Sequence, residues 1–182
     1  MRPPIPPKAY TGNATFPDRI ELRPIGIVRA PHLERHGTPR QAVVPADPAL
    51  RPDERATIEL FEGVCGPDAL VDLAGFDYVW VVSWLHLNDH ARTGSKAWRD
   101  RVTPPGETEA RSLFATRAPH RPNSIGLSAA RVVGVEGLRV HVERIDLLDG
   151  TPVIDIKPYV PYADAFADAH AGWLDARGVP NG

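Results

Sequence analysis

Residues 115–128 read Ala115-Thr116-Arg117-Ala118-Pro119-His120-Arg121-Pro122-Asn123-Ser124-Ile125-Gly126-Leu127-Ser128, with two arginines, two prolines, a histidine and an asparagine crowded before an apolar run. Proline fixes φ and keeps the residue before it extended. Arg117 and Arg121 are therefore expected to project from a stiff support. Guanidinium forks held in this way suit a carboxylate or a phosphate. The competing reading is a surface loop of salt bridges; the paired prolines favour a ligand site.

Asp146 and Asp149 flank Leu147-Leu148. Asp149-Gly150 is a hairpin signal, since both residue types tolerate positive φ. The same carboxylates suit the ribose or amine of a ligand, and the pattern leaves the two readings level. Asp155-Ile156-Lys157-Pro158-Tyr159 is either a plain strand end or a means of bringing a phenol and an ammonium to the mouth of a barrel. His32/His36 and His86/His90 share H-x-x-x-H spacing, which on a helix would turn two imidazoles to one face for zinc. Neither segment reads as a helix, and Glu34 stands one place late for H-E-x-x-H, so no metal site is expected. His86, closing an apolar strand, is more interesting singly than paired. Cys65, the one cysteine, reads as a small buried hydrophobe.

Several signatures are absent. No G-x-G-x-x-G follows a strand, and there is no G-x-x-x-x-G-K-[ST] phosphate loop. Gly126-Leu127-Ser128-Ala129-Ala130 fails the G-x-S-x-G pattern at its last position. A Rossmann-type nucleotide site is not expected.

The elements that must position these residues are mostly strands. With 182 residues and 42% hydrophobic content, the chain suits one globular domain with a sizeable core. No apolar run reaches membrane-spanning length, and the N-terminus shows no signal-peptide pattern. A single cysteine suits a reducing, cytoplasmic setting. The net charge of −2 supplies no global attraction for nucleic acid, so phosphate contacts must come from a local patch. Among the 21 basic residues only Lys8, Lys96 and Lys157 are lysines.

Residues 1–19, with five prolines, read as a flexible arm. Strands are expected at 20–22 and 25–28, at 57–61, and centrally over 76–87; a short helix is expected over 67–73, stopped by Gly75. Residues 88–109 read as a long polar loop. Further strands are expected at 111–116, 125–135, 138–145 and 151–156, with turns at Glu136-Gly137 and Asp149-Gly150. A short alanine-rich helix is expected over 163–176. Strands at short spacing favour a mainly-β barrel or sandwich over a βαβ fold.

Taken together, Pro24-Ile25-Gly26-Ile27-Val28-Arg29, Thr38-Pro39-Arg40-Gln41, the 115–128 stretch and Leu148-Asp149-Gly150-Thr151-Pro152-Val153-Ile154-Asp155-Ile156-Lys157-Pro158-Tyr159 resemble the TsaA-like family of TrmO/YaeB-type methyltransferases. The resemblance covers residues 20–162. It implies a single-sheet β-barrel with short helices and a C-terminal helical tail over 163–182, usually as a homodimer. It further implies S-adenosylmethionine as cofactor and N6-methylation of the threonylcarbamoyladenosine next to the tRNA anticodon. Carried over position by position, the cofactor contacts would be Gln41, Ala42, Val43, Leu85, His86, Arg117, Leu127, Asp146, Leu147, Leu148 and Asp149. Ser124 stands where many members have proline, which is expected to loosen the loop. Residues 163–182 are too short for the separate C-terminal domain that some bacterial members carry.

Methyl transfer from a sulfonium is an in-line displacement, so positioning should supply most of the rate. No metal is required. A urea-type nitrogen is a poor nucleophile, and an acceptor for its proton would help; His86, His120 and Asp149 qualify by type. Arg117 or Arg121 suits the threonyl carboxylate, and the expected division puts Arg117 towards the cofactor with Arg121 and Asn123 towards the acceptor. Two other readings remain: a methyltransferase of the same fold acting on a small nitrogenous metabolite, and a non-catalytic module binding S-adenosylmethionine. A basic patch from Arg92, Lys96, Arg99 and Arg101 would favour tRNA.

Overall fold

A computed structural model describes residues 19–34, 38, 54–88 and 98–177. Eight strands are present among them: β1 (Gly26–Arg29), β2 (Arg55–Leu60), β3 (Tyr78–Trp84), β4 (Arg101–Val102), β5 (Arg111–Ser112), β6 (Ile125–Glu136), β7 (Arg139–Glu143) and β8 (Pro152–Pro158). Six of these close into one antiparallel barrel in the order β1-β2-β7-β6-β3-β8, while β4 and β5 form a separate two-stranded ribbon. The mainly-β, single-sheet barrel expected from the sequence is the observed architecture.

Alternation builds the barrel. In β3, Val79, Val81 and Ser83 are buried while Tyr78, Trp80 and Val82 face outward and are only partly covered. The inward residues of β2, β6 and β7 (Ile58, Ala130, Val140 and Val142 among them) meet Val28, Val79, Val81 and Val153 in one core. Small and β-branched side chains suit so narrow an interior. Register shifts fall between Val82 and Ser83, and between Val132 and Gly134. Such bulges bend a strand and increase its twist, as barrel closure demands.

Several local expectations give way to tertiary context. Residues 20–22 form no strand; β1 starts at Gly26. Residues 67–73 do not form a helix but a run of turns held by three-residue bonds, such as Leu73 N–H to Leu70 O at 3.0 Å, ending in a 3-10 turn at Leu73–Gly75. So short a segment lacks the length to offset helix nucleation. Strand pairing in β3 stops at Trp84, and His86–Asn88 is a 3-10 turn. The 111–116 strand shrinks to Arg111–Ser112, because its one partner is the two-residue β4 within the expected 88–109 loop; Leu113–Ala115 turns away with Leu113 buried.

The two turn signals part company. Glu136 pairs with Arg139 around Gly137, whose φ is +54°, so this is a tight hairpin joining β6 to β7. Asp149-Gly150 joins no hairpin. Strand β7 lies between β2 and β6, whereas β8 lies between β1 and β3. Its turn, closed by Thr151 N–H to Leu148 O at 3.2 Å with Gly150 at φ +76°, belongs to a crossing connection.

The C-terminal segment is less helical than its alanines suggest. It holds one short helix, α1 (Pro161–Asp164), and a 3-10 stretch at Gly172–Arg177. Of residues 161–176, only Trp173 and Leu174 are half-buried; an exposed segment gains too little apolar burial to propagate a long helix. No described helix is long and apolar enough to cross a membrane.

Candidate active site

Adjacent outward residues of β3 and β6 form one floor, with Trp80 opposite Ala129 and Val82 opposite Leu127. A pocket of about 320 Å³ opens over this floor. It is lined by the rings of Tyr78, Trp80 and Tyr159, by Arg117 and Asp146, and by Leu127, Ser128 and Ala129. Tyr159 follows β8, and its N–H donates to the Tyr78 carbonyl at 3.0 Å. The rings form a cluster: Trp80 and Tyr159 have centroids 5.4 Å apart, and Tyr78 meets Tyr159 edge-on at 6.2 Å.

The structure brings Arg117 and Leu127, from the two ends of the 115–128 stretch, together with Asp146 from the segment after β7. Asp146 stands between the buried Ile145 and Leu147, and its Oδ1 accepts from Ser128 Oγ at 2.5 Å. Leu147 belongs to the core, and Leu148 supplies the carbonyl that closes the 148–151 turn. Leu85 docks on the end of the arginine loop, its N–H donating to the Ser124 carbonyl at 2.7 Å. His86 follows at once, its ring 6.4 Å from that of Trp84.

The remaining candidates are placed otherwise. Asp149 does not line the pocket; its Oδ1 accepts from the Ala30 N–H at 3.0 Å and its own N–H donates to the His32 carbonyl at 2.8 Å, clasping the end of β1. Arg121 turns back into its own loop. Its Nη1 donates to the Thr116 carbonyl at 3.0 Å and to the Ala118 carbonyl at 3.4 Å, and its guanidinium lies 5.3 Å from the Phe114 ring centroid. Asn123 is exposed at the entry to β6. The loop is thus stiffened by more than its prolines. Ser124 is buried, and its Oγ donates to the Asn88 carbonyl at 3.2 Å, so it ties the loop down where it was expected to loosen it.

Gln41, Ala42 and Val43 lie outside the described residues, as do His36, His90, Arg92 and Lys96. Arg101 donates to the Ala110 carbonyl at 2.5 Å, so it serves the β4–β5 ribbon. Lys157 pairs with Asp155 at 2.8 Å, leaving Tyr159 as the member of that motif in the pocket. Among the described residues no group of three or more His, Cys, Asp or Glu is placed to hold a metal ion.

Tyr78 and Trp80 are pocket residues that motif reasoning passed over, whereas Tyr159 is the phenol expected at the barrel mouth. A signal was present: in Tyr78-Val79-Trp80-Val81 the aromatics occupy one parity and the valines the other. Valines on the core side leave the rings on an outer face, where large apolar rings call for an occupant.

The donor set can be matched to a ligand. S-adenosylmethionine presents a planar purine, a ribose diol, a sulfonium cation and an α-carboxylate. Aromatic faces stack planar bases and attract cations, Asp146 is an acceptor for hydroxyls or positive charge, and the Arg117 fork suits a carboxylate. The residues present fit this group.

Known proteins resemble this chain over most of its length. Residues 27–165 match the model of the tRNA-methyltransferase O N-terminal domain. A Pseudomonas aeruginosa protein, provisionally named S-adenosylmethionine-dependent methyltransferase RcsF, is 45% identical over 159 residues, covering 85% of this chain and 63% of the relative. An Escherichia coli protein named tRNA (adenine(37)-N6)-methyltransferase is 33% identical, covering 86% of this chain and 65% of the relative. The crystal structure of TrmO from Pseudomonas aeruginosa superposes with a TM-score of 0.67 at 39% identity, over 86% of this chain and 63% of that one. The chain therefore spans less than two thirds of the length of these relatives.

Proposed function

Because the chain belongs to the tRNA-methyltransferase O N-terminal domain family, we propose that it is an S-adenosylmethionine-dependent N-methyltransferase acting on tRNA. The acceptor in this reading is N6 of the threonylcarbamoyladenosine next to the anticodon. The observation that carries it is the convergence of Arg117, Leu127 and Asp146 on one aromatic-walled pocket. These were expected as cofactor contacts from two stretches, 115–128 and 146–149, and nothing in the spacing alone requires Asp146 to meet the other two.

S-adenosylmethionine, when bound, supplies an electrophilic methyl group on a positively charged sulfur. Arg117 holds a carboxylate at one side of the pocket, while Asp146, steadied by Ser128, accepts from hydroxyls. Tyr78, Trp80 and Tyr159 exclude water from the same volume and present their faces to a planar or cationic group. Neither His86 nor Asp149 lines the pocket, and the Asp149 carboxylate is engaged with Ala30 at the end of β1, so the acceptor's proton is assigned to no side chain here. Arg121 keeps Arg117 in place by closing the loop from behind.

A homodimer and a cytoplasmic setting form part of the proposal. Trp84, Ile125, Leu127 and Leu87 leave an apolar patch over the outer face of β3 and β6, and a second copy is its proposed cover. Sedimentation of the protein and of a Trp84→Glu, Ile125→Glu variant tests this; a monomer in both cases rejects it.

Incubation with methyl-labelled S-adenosylmethionine and bulk tRNA from cells lacking this activity, followed by nucleoside mass spectrometry, tests the function. The expected product is a methylated threonylcarbamoyladenosine. Turnover on a small nitrogenous metabolite with none on tRNA would replace the substrate, and binding without turnover on any acceptor would replace the activity. The tRNA affinity should fall steeply with added salt.

A further inference from the structure

Two indole N–H groups tie the C-terminal segment to the pocket strand β3 and to the loop that carries Arg117. Trp80, a pocket wall, donates its Nε1–H to Asp164 Oδ2 at 3.0 Å, and the same oxygen accepts from the Val160 N–H at 2.8 Å. Nine residues later the direction reverses. Trp173 donates its Nε1–H to the Ala115 carbonyl at 2.8 Å, two residues before Arg117. The guanidinium of Arg111 lies 5.3 Å from the Trp173 ring centroid, and Arg111 is itself held by Glu109 at 3.1 Å and Glu107 at 3.7 Å.

We infer that residues 161–177 act as a strap that joins two of the segments bearing the pocket, with Asp164 and Trp173 as positioning residues for ligand binding. The Asp164 carboxylate sets the plane of the Trp80 ring. Trp173 fixes the turn from which Arg117 emerges, at the end opposite to the Ser124–Asn88 tie. The strap holds itself in shape, since Asp175 accepts from the Ala171 N–H at 2.8 Å. A one-ångström displacement of either wall would weaken a site that works by positioning. Asp164 lies within the residues matched by the family model, and Trp173 lies beyond residue 165, where that match stops.

The inference rests on the reading that this pocket holds S-adenosylmethionine, and the experiment separates the two. Full-chain protein is compared with Trp173→Phe, Trp173→Ala and Asp164→Ala. Three readouts are taken: melting temperature, hydrogen exchange without ligand, and affinity for S-adenosylmethionine by calorimetry. Trp173→Ala should keep barrel exchange and melting close to the parent while the 115–121 amides exchange faster. Its Kd should rise roughly fivefold, as expected for one lost hydrogen bond. Trp173→Phe, which retains a ring for Arg111 but no N–H, should fall between. With substrate tRNA, the KM for cofactor should rise more than kcat falls. Unchanged loop exchange, or faster exchange with an unchanged Kd, overturns the strap. If the parent protein binds no S-adenosylmethionine, the cofactor reading fails, and the exchange of 115–121 alone decides whether the strap holds the loop.

Discussion

The Ser128 hydroxyl donates to the Asp146 carboxylate at 2.5 Å, joining β6 to the segment that leaves β7 on the wall of the pocket. Ser128 is buried, so its hydroxyl must find a partner there. The bond orients Asp146 while leaving acceptor capacity on the carboxylate.

Ser128→Ala is therefore expected to lower affinity for S-adenosylmethionine without preventing binding, and Asp146→Asn to lower it further. A hydrogen bond to a charged group is worth about 1.5–3 kcal/mol, which corresponds to roughly ten- to a hundredfold in Kd. Calorimetric titration of both variants checks the order. Equal affinity in Asp146→Asn and the parent would remove Asp146 from the site.

Arg117 and Arg121 should separate cleanly on substitution. Arg117→Ala is expected to raise the Kd by roughly tenfold or more with little change in melting temperature, since Arg117 lines the pocket and is exposed. Arg121→Ala removes two bonds to loop carbonyls and the Phe114 contact. It should destabilise the loop by about 1–2 kcal/mol and accelerate amide exchange over 115–121. If Arg121→Ala leaves exchange unchanged but abolishes turnover, Arg121 acts on the acceptor instead.

Gly26 carries a strict steric demand. A methyl built on it would overlap the backbone carbonyl oxygen of Glu59 on the paired strand, which cannot rotate away. Gly26→Ala is expected to cost about 1–3 kcal/mol or more through forced separation of β1 and β2, read as a lower midpoint in urea unfolding. A midpoint equal to that of the parent would show that the barrel relaxes freely here.

Acid should expose the charged lattice on the outside of the barrel. The hydrogen bond from Arg29, at 3.1 Å, holds the Glu59 carboxyl below its ordinary value of 4.5, against a smaller opposing effect of burial and with further help from Arg139 at 3.4 Å. A pKa lowered on folding stabilises the native state fully above the ordinary value. That contribution is lost as pH falls through the lowered folded value. The stability gap between the parent and Glu59→Gln should thus shrink below pH 4.5 and narrow in high salt. A gap that stays constant from neutral pH to pH 3 or so contradicts the assignment.

Much of this protein is written locally. Period-two alternation in Thr57-Ile58-Glu59-Leu60 marks which side chains face the core, and Gly137 ends one strand and starts the next, because both effects depend on neighbours in the chain. The arginine loop was legible for the same reason: its prolines act on the residues beside them. Partnership is not local. Nothing near Asp149-Gly150 states that β7 and β8 sit apart in the barrel, which turns a hairpin signal into a crossing turn and Asp149 into a clasp for Ala30. Nor does spacing state that Tyr78, Trp80 and Tyr159 meet Arg117 and Asp146, since that requires β8 to lie beside β3 and the loop to fold over β6. Chemistry of residue type and local conformation comes from short stretches of chain; the pocket comes from contacts between residues far apart, which form only when burial of a common core closes the barrel.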